Sequence, residues 1–269
     1  MRSTTSAICA TATLGVVWVW IFHFYPCADV PAASDLRLTP GSVFGQIPQL
    51  VYTTSRRASG GLIQIVRLHN PNWKVTVIPN GQPAVKLINK YCGPKYANAY
   101  QLLAVPAFQA DLLRYCMLWS TGGVWMDDDL VLLRPLADIV PVQMNVEAML
   151  ARDLIGGCGH PGIMNQFMVA RPGALIFSRA MDAIVNTTKR RRRYFHNRRL
   201  ALHFTGPALL WDLIQNTSSA VPWRVGQSSA FHDGNAIFDA VGNEIVLHMP
   251  MKSNGGYGRR VQWGNIYVY

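Results

Sequence analysis

Three consecutive acids, Asp127, Asp128 and Asp129, lie near the middle of the chain, between the apolar segments 124–126 and 130–133. Adjacent carboxylates repel one another, so their pKa values rise unless a positive charge lies among them. The alternate residues Asp127 and Asp129 can point two carboxylates at one hard divalent cation, which prefers oxygen ligands. Such a cation can hold the two phosphates of a nucleotide and neutralise a diphosphate as it leaves. The three acids therefore predict a metal site at the end of a buried strand.

A second polar pair, Asp111 and Arg114, precedes the acids on a segment with helical periodicity. Residues three apart are neighbours on a helix, and an isolated pair would be an ordinary ion pair. Because this helix leads directly into the acids, the pair indicates the wall of a polar pocket. The core-facing stripe of the same helix consists of Leu112, Tyr115, Cys116 and Trp119. His248, at the end of a later apolar segment, is a candidate third metal ligand through a ring nitrogen, although a lone histidine is more often structural.

The elements that must position these residues alternate between strand and helix. Apolar, β-branched segments at 49–53 and 73–78 predict strands, segments 62–68 and 84–91 predict helices, and Pro106 opens the central helix. This alternation predicts an α/β domain with a mostly parallel sheet and right-handed crossovers, whose ligands bind at the carboxyl ends of the strands. Further strands are expected at 147–151, at 166–170 and up to His248, and further helices at 174–185 and 208–214.

The N-terminal region predicts a membrane anchor. Residues 8–25 contain no Asp, Glu, Lys or Arg and, as a helix, reach roughly 27 Å, which just spans a bilayer core. The flanking charges place the N-terminus in the cytoplasm. We therefore expect a cytoplasmic tail at 1–7, a transmembrane signal anchor at 8–25, a stem at 26–45 and a catalytic domain at 46–269. This single-pass type II topology places the domain in a Golgi or equivalent secretory lumen; secretion after signal-peptide cleavage near Ala32 is the alternative.

The formal net charge of +11 is concentrated in one basic segment, residues 189–199, which supplies seven positive side chains. No aromatic-interleaved recognition module accompanies it, so nucleic acid is not an expected partner. A solvated loop is the simpler interpretation, and a patch that attracts anionic head groups, sulfated glycans or an acidic acceptor is the alternative.

The five cysteines predict no disulfide framework. Cys9 lies in the predicted membrane segment and Cys116 on the apolar side of the central helix, so both are expected to be buried thiols. At most one disulfide is then expected among Cys27, Cys92 and Cys158. The spacing of cysteines and histidines does not match a zinc site.

The central stretch resembles the DxD-containing sugar-binding region of glycosyltransferase family 32. The resemblance is carried by residues 109–115 (QADLLRY), 122–129 (GGVWMDDD) and 134–136 (RPL). Flanking segments agree in order, so the resemblance covers roughly residues 46–250. These segments are 47–54 (IPQLVYTT), 70–73 (NPNW), 165–172 and 205–207 (TGP).

The resemblance implies a single Rossmann-type domain of the GT-A fold. It also implies a metal-dependent, retaining transfer of a hexose from a nucleotide-diphosphate sugar to a glycan or glycolipid acceptor, with manganese or magnesium as the cofactor. Asp129 would bind the metal directly, and Asp127 would contact the ribose or sugar and reach the metal through water. Asp111 and Arg114 would hold hydroxyl groups of the donor sugar.

Four further site residues follow from the same resemblance. Tyr52 and Thr54 would lie against the nucleotide, Asn165 would contact the substrate, and His248 would match a late histidine near the metal and the diphosphate. Tyr52 stands where many members of the family have histidine.

Two other functions remain open at this stage. An Asp-x-Asp motif after an apolar strand is also typical of aspartyl-phosphate phosphatases, but Gly122-Gly123 and the mid-chain position of the acids argue against that class. The other alternative is a non-catalytic sugar-binding relative, against which the intact acids argue. The sequence contains no residue that stands out as a nucleophile, and retaining transfer needs none on the enzyme if the acceptor attacks from the side of the leaving group.

Overall fold

A computed structural model describes residues 46–54, 61–141, 145–153, 162–190, 201–214, 217, 219–227 and 235–248. The strands within these ranges are β1 (Leu50–Thr54), β2 (Lys74–Ile78), β3 (Gly123–Met126), β4 (Leu130–Leu132), β5 (Ala148–Asp153), β6 (Gly162–Ala170), β7 (Ala220–Gln227), β8 (Asn235–Phe238) and β9 (Glu244–His248). The helices are α1 (Gly61–His69), α2 (Gln82–Tyr91), α3 (Pro94–Leu102), α4 (Pro106–Thr121), α5 (Leu136–Ile139), α6 (Leu175–Arg190), α7 (Ala201–Phe204) and α8 (Pro207–Ile214).

The strands form one mixed sheet in the order β2-β1-β3-β6-β5-β7-β8-β9-β4. The α/β class is as predicted, but the prediction of a mostly parallel sheet is wrong. Only the pairs β1–β2, β1–β3 and β5–β7 are parallel among the described ladders. The connections at 154–161, 228–234 and 239–243 are shorter than the dozen or so residues that a parallel crossover needs, so β6, β8 and β9 return antiparallel to the strands before them.

Most of the predicted N-terminal elements are present, but the sequence did not predict α3. Gly93 ends α2 with a φ of 98°, as expected for a helix stop. Pro94 then occupies the first turn of α3, where its missing N–H has no cost. The segment Cys92-Gly93-Pro94 therefore ends one helix and starts the next. Strands β7 and β8 were not predicted either.

The sheet curls back on itself at the three acids. Only Asp127, Asp128 and Asp129 join β3 to β4, although β4 lies six places away at the far edge of the strand order. The four steps from Met126 to Leu130 span at most about 14 Å, so the far edge must return to β3. The concave side encloses an inner core that includes α1 and α5. The convex side packs on α2, α3, α4, α6 and α8 to form an outer core.

Two glycines make the reversal from α4 into β3 possible. Gly122 and Gly123 have φ values of 66° and 97°, which side chains rarely adopt. A Cβ atom on Gly122 would lie 2.6 Å from the Pro172 ring, and one on Gly123 would lie 2.5 Å from the Leu50 carbonyl oxygen. The pair therefore allows β3 to pack against β1 immediately after the helix, which places the acids at the carboxyl end of β3.

A disulfide joins Cys92, at the end of α2, to Cys116 in α4, with the two Cα atoms 6.0 Å apart. The prediction that Cys116 is a buried free thiol is therefore wrong. Cys116 does face the core. The two cysteines are 24 residues apart in sequence, and only the packing of α2 against α4 brings them together.

No helix in the described ranges is long and apolar enough to cross a membrane. The predicted tail, anchor and stem, residues 1–45, lie outside those ranges.

Replacing Cys92 with serine and Cys116 with alanine should lower the free energy of unfolding by about 3 kcal/mol, because the disulfide closes a loop of roughly 25 residues in the unfolded chain. This corresponds to a melting temperature lower by roughly 10 °C. Calorimetry of the oxidised protein, with Cys158→Ser as the control, measures the difference. A wild-type melting temperature that does not change on reduction would contradict the assignment.

Candidate active site

The middle of α4 carries a buried ion pair. Asp111 and Arg114 are each 5% exposed, and Nη2 of Arg114 lies 3.3 Å from Oδ1 of Asp111. The three-residue spacing predicted this contact, but the pair lies inside the fold. The reason is that α4 packs this part of its surface against β3 and β6.

Arg114 also reaches the first of the three acids. Its Nη1 lies 3.5 Å from Oδ1 of Asp127 and donates a hydrogen bond to the backbone carbonyl of Asn165. Its Nε donates to the Ala110 carbonyl at 3.3 Å, and the guanidinium carbon is 5.3 Å from the centre of the Trp125 ring. One buried cation is therefore shared between two carboxylates from different elements.

Trp125 holds Asp127 in place. Its indole Nε1 donates to Oδ1 of Asp127 at 2.7 Å, and the ring itself is fully buried in β3. The backbone N–H of Asp127 donates to the Gln166 carbonyl at 2.9 Å, which attaches the start of the acid turn to β6. The carboxylate is thus positioned from both its side chain and its backbone.

The other contacts of Asp111 come from distant parts of the chain. Nδ2 of Asn165 donates to Oδ1 at 2.8 Å, and the Thr205 hydroxyl donates to Oδ2 at 2.6 Å. Asn165 lies in the part of β6 where the pairing with β5 changes register. Thr205 precedes α8, and the Tyr115 hydroxyl donates to its carbonyl at 2.7 Å.

Burial and the central cation act against each other on the acids. Burial raises the pKa of Asp111 from its ordinary value of 3.8 to about 7, against the opposing effects of Arg114 and of the hydrogen bonds from Thr205 and Asn165. Burial also raises the pKa of Asp127, again against Arg114 and the Trp125 indole. For Arg114, burial alone would lower the pKa, but Asp127 and Asp111 outweigh it and the pKa rises. The guanidinium therefore stays charged.

Asp127 and Asp128 line a small cleft on the inner side of the sheet. Most of its wall is apolar, and Thr53 is its uncharged polar member. The remaining lining residues are Val51, Ile63, Val66, Val75, Met126 and Leu130. The charge of Asp129 raises the pKa of both Asp127 and Arg114, so Asp129 belongs to the same electrostatic environment.

The other predicted site residues are placed at different distances from this cluster. The backbone of His248 pairs with Leu130, the residue after Asp129, so β9 ends beside the acid turn. Thr54 ends β1 at the same sheet edge. Tyr52 is 6% exposed, and its hydroxyl accepts a 3.0 Å hydrogen bond from Thr121, which is the last residue of α4 and lies ten residues after Asp111. The structure thus brings Asp111, Arg114, Asp127 and Asn165 together and leaves Tyr52 apart.

Among the residues that the structure describes, no three His, Cys, Asp or Glu side chains form a metal site by themselves. The carboxylates that are present fit a metal site in which the protein supplies only part of the coordination. Magnesium-like ions are commonly held by one or two carboxylates and complete their coordination with water and substrate phosphates. Asp129, with Asp127 through a water molecule, would supply the carboxylates for such a site.

Two residues of the cluster, Trp125 and Thr205, were not among the predicted site residues. Trp125 stands two residues before Asp127, and alternation along a strand places both on one face, so this contact was within reach of sequence reasoning. Thr205 is 94 residues from Asp111, and no local signal connects them.

The raised pKa of Asp111 predicts a pH-dependent stability. From about pH 4 to about pH 7 the folded chain keeps a proton on Asp111 that the unfolded chain has released. The stability that this proton contributes is therefore lost as the pH rises through that window. Asp111→Asn, a neutral isostere, should therefore gain stability relative to wild type between about pH 5 and about pH 8, on the order of a few kcal/mol. Urea midpoints at both pH values test this, with exposed Asp138→Asn as the control. A difference that does not change with pH would contradict it.

Comparison with known proteins agrees with this site. Residues 58–147 match the family described as "Glycosyltransferase sugar-binding region containing DXD motif". An initiation-specific alpha-1,6-mannosyltransferase of Candida albicans is 35% identical over 68 residues, which are 25% of this chain and 18% of the relative. The protein of the same name from Schizosaccharomyces pombe is 26% identical over 102 residues, 35% of this chain and 26% of the relative. The matches thus span about a quarter or less of the relatives' length.

Among solved structures, the chain is similar to "PaToxG Glycosyltransferase", with a TM-score of 0.49 and 14% identity over 64% of this chain and 70% of the other. The matched residues 58–147 contain Asp111, Arg114 and all three acids. Over this region, the chain is similar to glycosyltransferases whose sugar-binding region contains the DXD motif.

Proposed function

We propose that this protein transfers a hexose from a nucleotide-diphosphate sugar to a glycan or glycolipid acceptor, with manganese or magnesium as the cofactor and with retention of configuration. The observation that carries the proposal is the buried contact of Arg114 with Asp111 and Asp127 beside the acid turn. The named relatives are alpha-1,6-mannosyltransferases, which makes mannose the first donor sugar to test.

Asp111 and Arg114 hold the donor sugar in this proposal. A carboxylate has about four lone-pair positions. Asp111 uses them for Asn165, Thr205 and Arg114, which leaves room for a sugar hydroxyl. These contacts fix the carboxylate before the donor arrives, so little conformational entropy is lost on binding.

The nucleotide lies at the mouth of the small cleft that Asp127 and Asp128 line. Its apolar wall suits the faces of a base, and Thr53 offers a hydroxyl for its polar edge. The diphosphate then lies at the acid turn, where Asp129 would hold the metal. When bound, the metal supplies charge neutralisation for the leaving diphosphate.

For retention, we propose that the acceptor hydroxyl attacks from the side of the leaving group. Asp111 is engaged by three partners, and Asp127 is engaged by Arg114 and Trp125. Both carboxylates are therefore assigned to positioning and not to attack. Arg114 is already charged and desolvated, so it can stabilise the developing negative charge without reorganisation.

The disulfide supports the proposal that the domain works in an oxidising compartment, such as a secretory lumen. A type II anchor at residues 8–25 remains part of this proposal.

Asp129→Ala should abolish metal-dependent donor hydrolysis, because it removes the proposed direct metal ligand, and it should leave the melting temperature of the metal-free protein nearly unchanged. Turnover of UDP- and GDP-sugars, with and without Mn²⁺, tests this. Asp138→Ala, which removes an exposed carboxylate from α5, is the control. Full turnover in Asp129→Ala would refute the metal assignment.

Arg114→Lys should reduce donor turnover by at least tenfold, although the charge is kept. A lysine ammonium cannot contact Asp111, Asp127 and the Asn165 carbonyl together as a planar guanidinium does. Steady-state kinetics on the best donor, with circular dichroism to confirm folding, provide the measurement. Wild-type kinetics in this variant would show that the several hydrogen-bond donors of the planar guanidinium are not needed.

The same assays separate this proposal from the alternatives. Robust hydrolysis of p-nitrophenyl phosphate would favour a phosphatase. Metal-dependent donor binding without turnover on any donor or acceptor would indicate a non-catalytic sugar-binding protein.

A further inference from the structure

Two arginines lie side by side on the convex face of the sheet. Arg152 of β5 pairs in parallel register with Arg224 of β7. Their neighbours Ala151, Trp223 and Val225 belong to the inner core, so alternation along the strands places both arginines on the opposite face. Neighbouring strands are about 5 Å apart. The two side chains therefore leave the sheet next to each other.

Neither guanidinium has a carboxylate partner in the described part of the chain. The ion pairs there include Lys95–Asp182, Asp111–Arg114, Arg114–Asp127 and Arg134–Asp239, and none of these four contains Arg152 or Arg224. Each arginine instead lies over an aromatic ring, Arg152 at 5.3 Å from the centre of Trp211 and Arg224 at 4.9 Å from the centre of Phe238. The Nε atom of Arg152 is buried and has no hydrogen-bond partner among the described residues.

Arg224 is exposed and Arg152 is half-buried, so an anion can reach the two guanidinium groups from solvent. Like charges opposite each other on neighbouring strands repel, and a buried N–H without an acceptor loses its hydrogen bond to water without replacement. The aromatic faces attract each cation but neutralise neither. One anion between the two guanidinium groups would reduce the repulsion between them.

The pair lies at the same edge of the sheet as the proposed donor site. β3 and β5 are both antiparallel to β6 and therefore parallel to each other. Arg152, the second-to-last residue of β5, thus stands near the edge at which Asp127 follows β3. The two strands are two places apart in the sheet, roughly 10 Å. Asn165 on the intervening β6 contacts Asp111. The proposed sugar-binding residues Asp111 and Arg114 therefore lie next to the strand that separates Arg152 from Asp127.

We propose that Arg152 and Arg224 form an anion-binding subsite that holds a phosphate group of the acceptor. The assignment to the acceptor rests on the proposed function, because the donor diphosphate is placed at the acid turn. Phosphate fits better than a single carboxylate, since two planar guanidinium forks offer more donors than two oxygens can accept. Trp211 and Phe238 lie against the guanidinium groups themselves and hold them in place before the anion arrives.

Titration with inorganic phosphate tests the subsite without catalysis. Binding is followed by ³¹P NMR in metal-free buffer with EDTA, which removes the metal-dependent donor site. Arg152→Gln/Arg224→Gln should weaken phosphate binding at least tenfold, and Arg152→Lys/Arg224→Lys should retain part of it. Arg179→Gln, which removes an arginine from α6, should bind as wild type does. Equal affinity in wild type and Arg152→Gln/Arg224→Gln would overturn the proposal, as would no binding by folded wild type.

A second set of measurements identifies the source of the phosphate. Mannose 6-phosphate and vesicles containing phosphatidylinositol represent a phosphorylated glycan and a phosphorylated lipid, and phosphatidylcholine vesicles are the neutral control. Arginine-dependent binding of either phosphorylated probe supports an acceptor role and separates glycan from lipid. Displacement of phosphate from this pair by UDP or GDP would instead assign it to the donor and overturn the acceptor role.

Donor hydrolysis without acceptor separates this inference from the proposed function. Wild type and Arg152→Gln/Arg224→Gln should hydrolyse the donor at similar rates, while transfer to a phosphorylated acceptor should show a KM at least tenfold higher in the double variant. An unchanged KM for that acceptor would overturn the subsite. If wild type hydrolyses no donor but binds phosphate through the two arginines, the proposed function fails and only the anion site remains.

Discussion

The buried charge of Arg114 is the constraint on which the rest of the site depends. A desolvated guanidinium is tolerated only when it is paired and hydrogen-bonded, and removal of one partner of a buried pair typically costs about 3–5 kcal/mol. Here the partners come from α4, from the acid turn and from β6. Three elements that are distant in sequence must therefore meet correctly before this cation is stable, so the folded state and the geometry of the site are specified by the same contacts.

A second constraint is the length of the acid turn. Three residues connect β3 to a strand at the other edge of the sheet, so the sheet has to curl, and the inner core fills the concave side. The acids cannot move away from the place where both edges converge. The backbone of His248 lies there for the same reason, because β9 pairs with β4. Curvature of the sheet thus concentrates polar groups at its carboxyl edge.

Sequence reasoning correctly predicted the features that involve residues close together in the sequence. The neighbouring positions of Asp111 and Arg114, the glycine break and the placement of the acids after β3 follow from helical and strand periodicity. Contacts between distant segments were out of reach, as Thr205 and Asn165 show, because they lie 94 and 54 residues from Asp111. The directions of β6 and β9 were mispredicted because the predicted strand 166–170 starts four residues later than β6 and because β8 was not recognised, so the short connections before both strands could not be seen. The arginine pair depends on strand order, which periodicity does not encode.

The disulfide has a practical consequence for producing the protein. Cys116 is two residues from Arg114, so the covalent link to α2 restrains the same helix turn that presents the buried cation. In a bacterial cytosol the link would stay reduced, and that turn would be held by packing alone. Preparations from a periplasm or a eukaryotic secretory host would then differ from cytosolic ones in the order of the sugar-binding residues, even with identical sequence and purity.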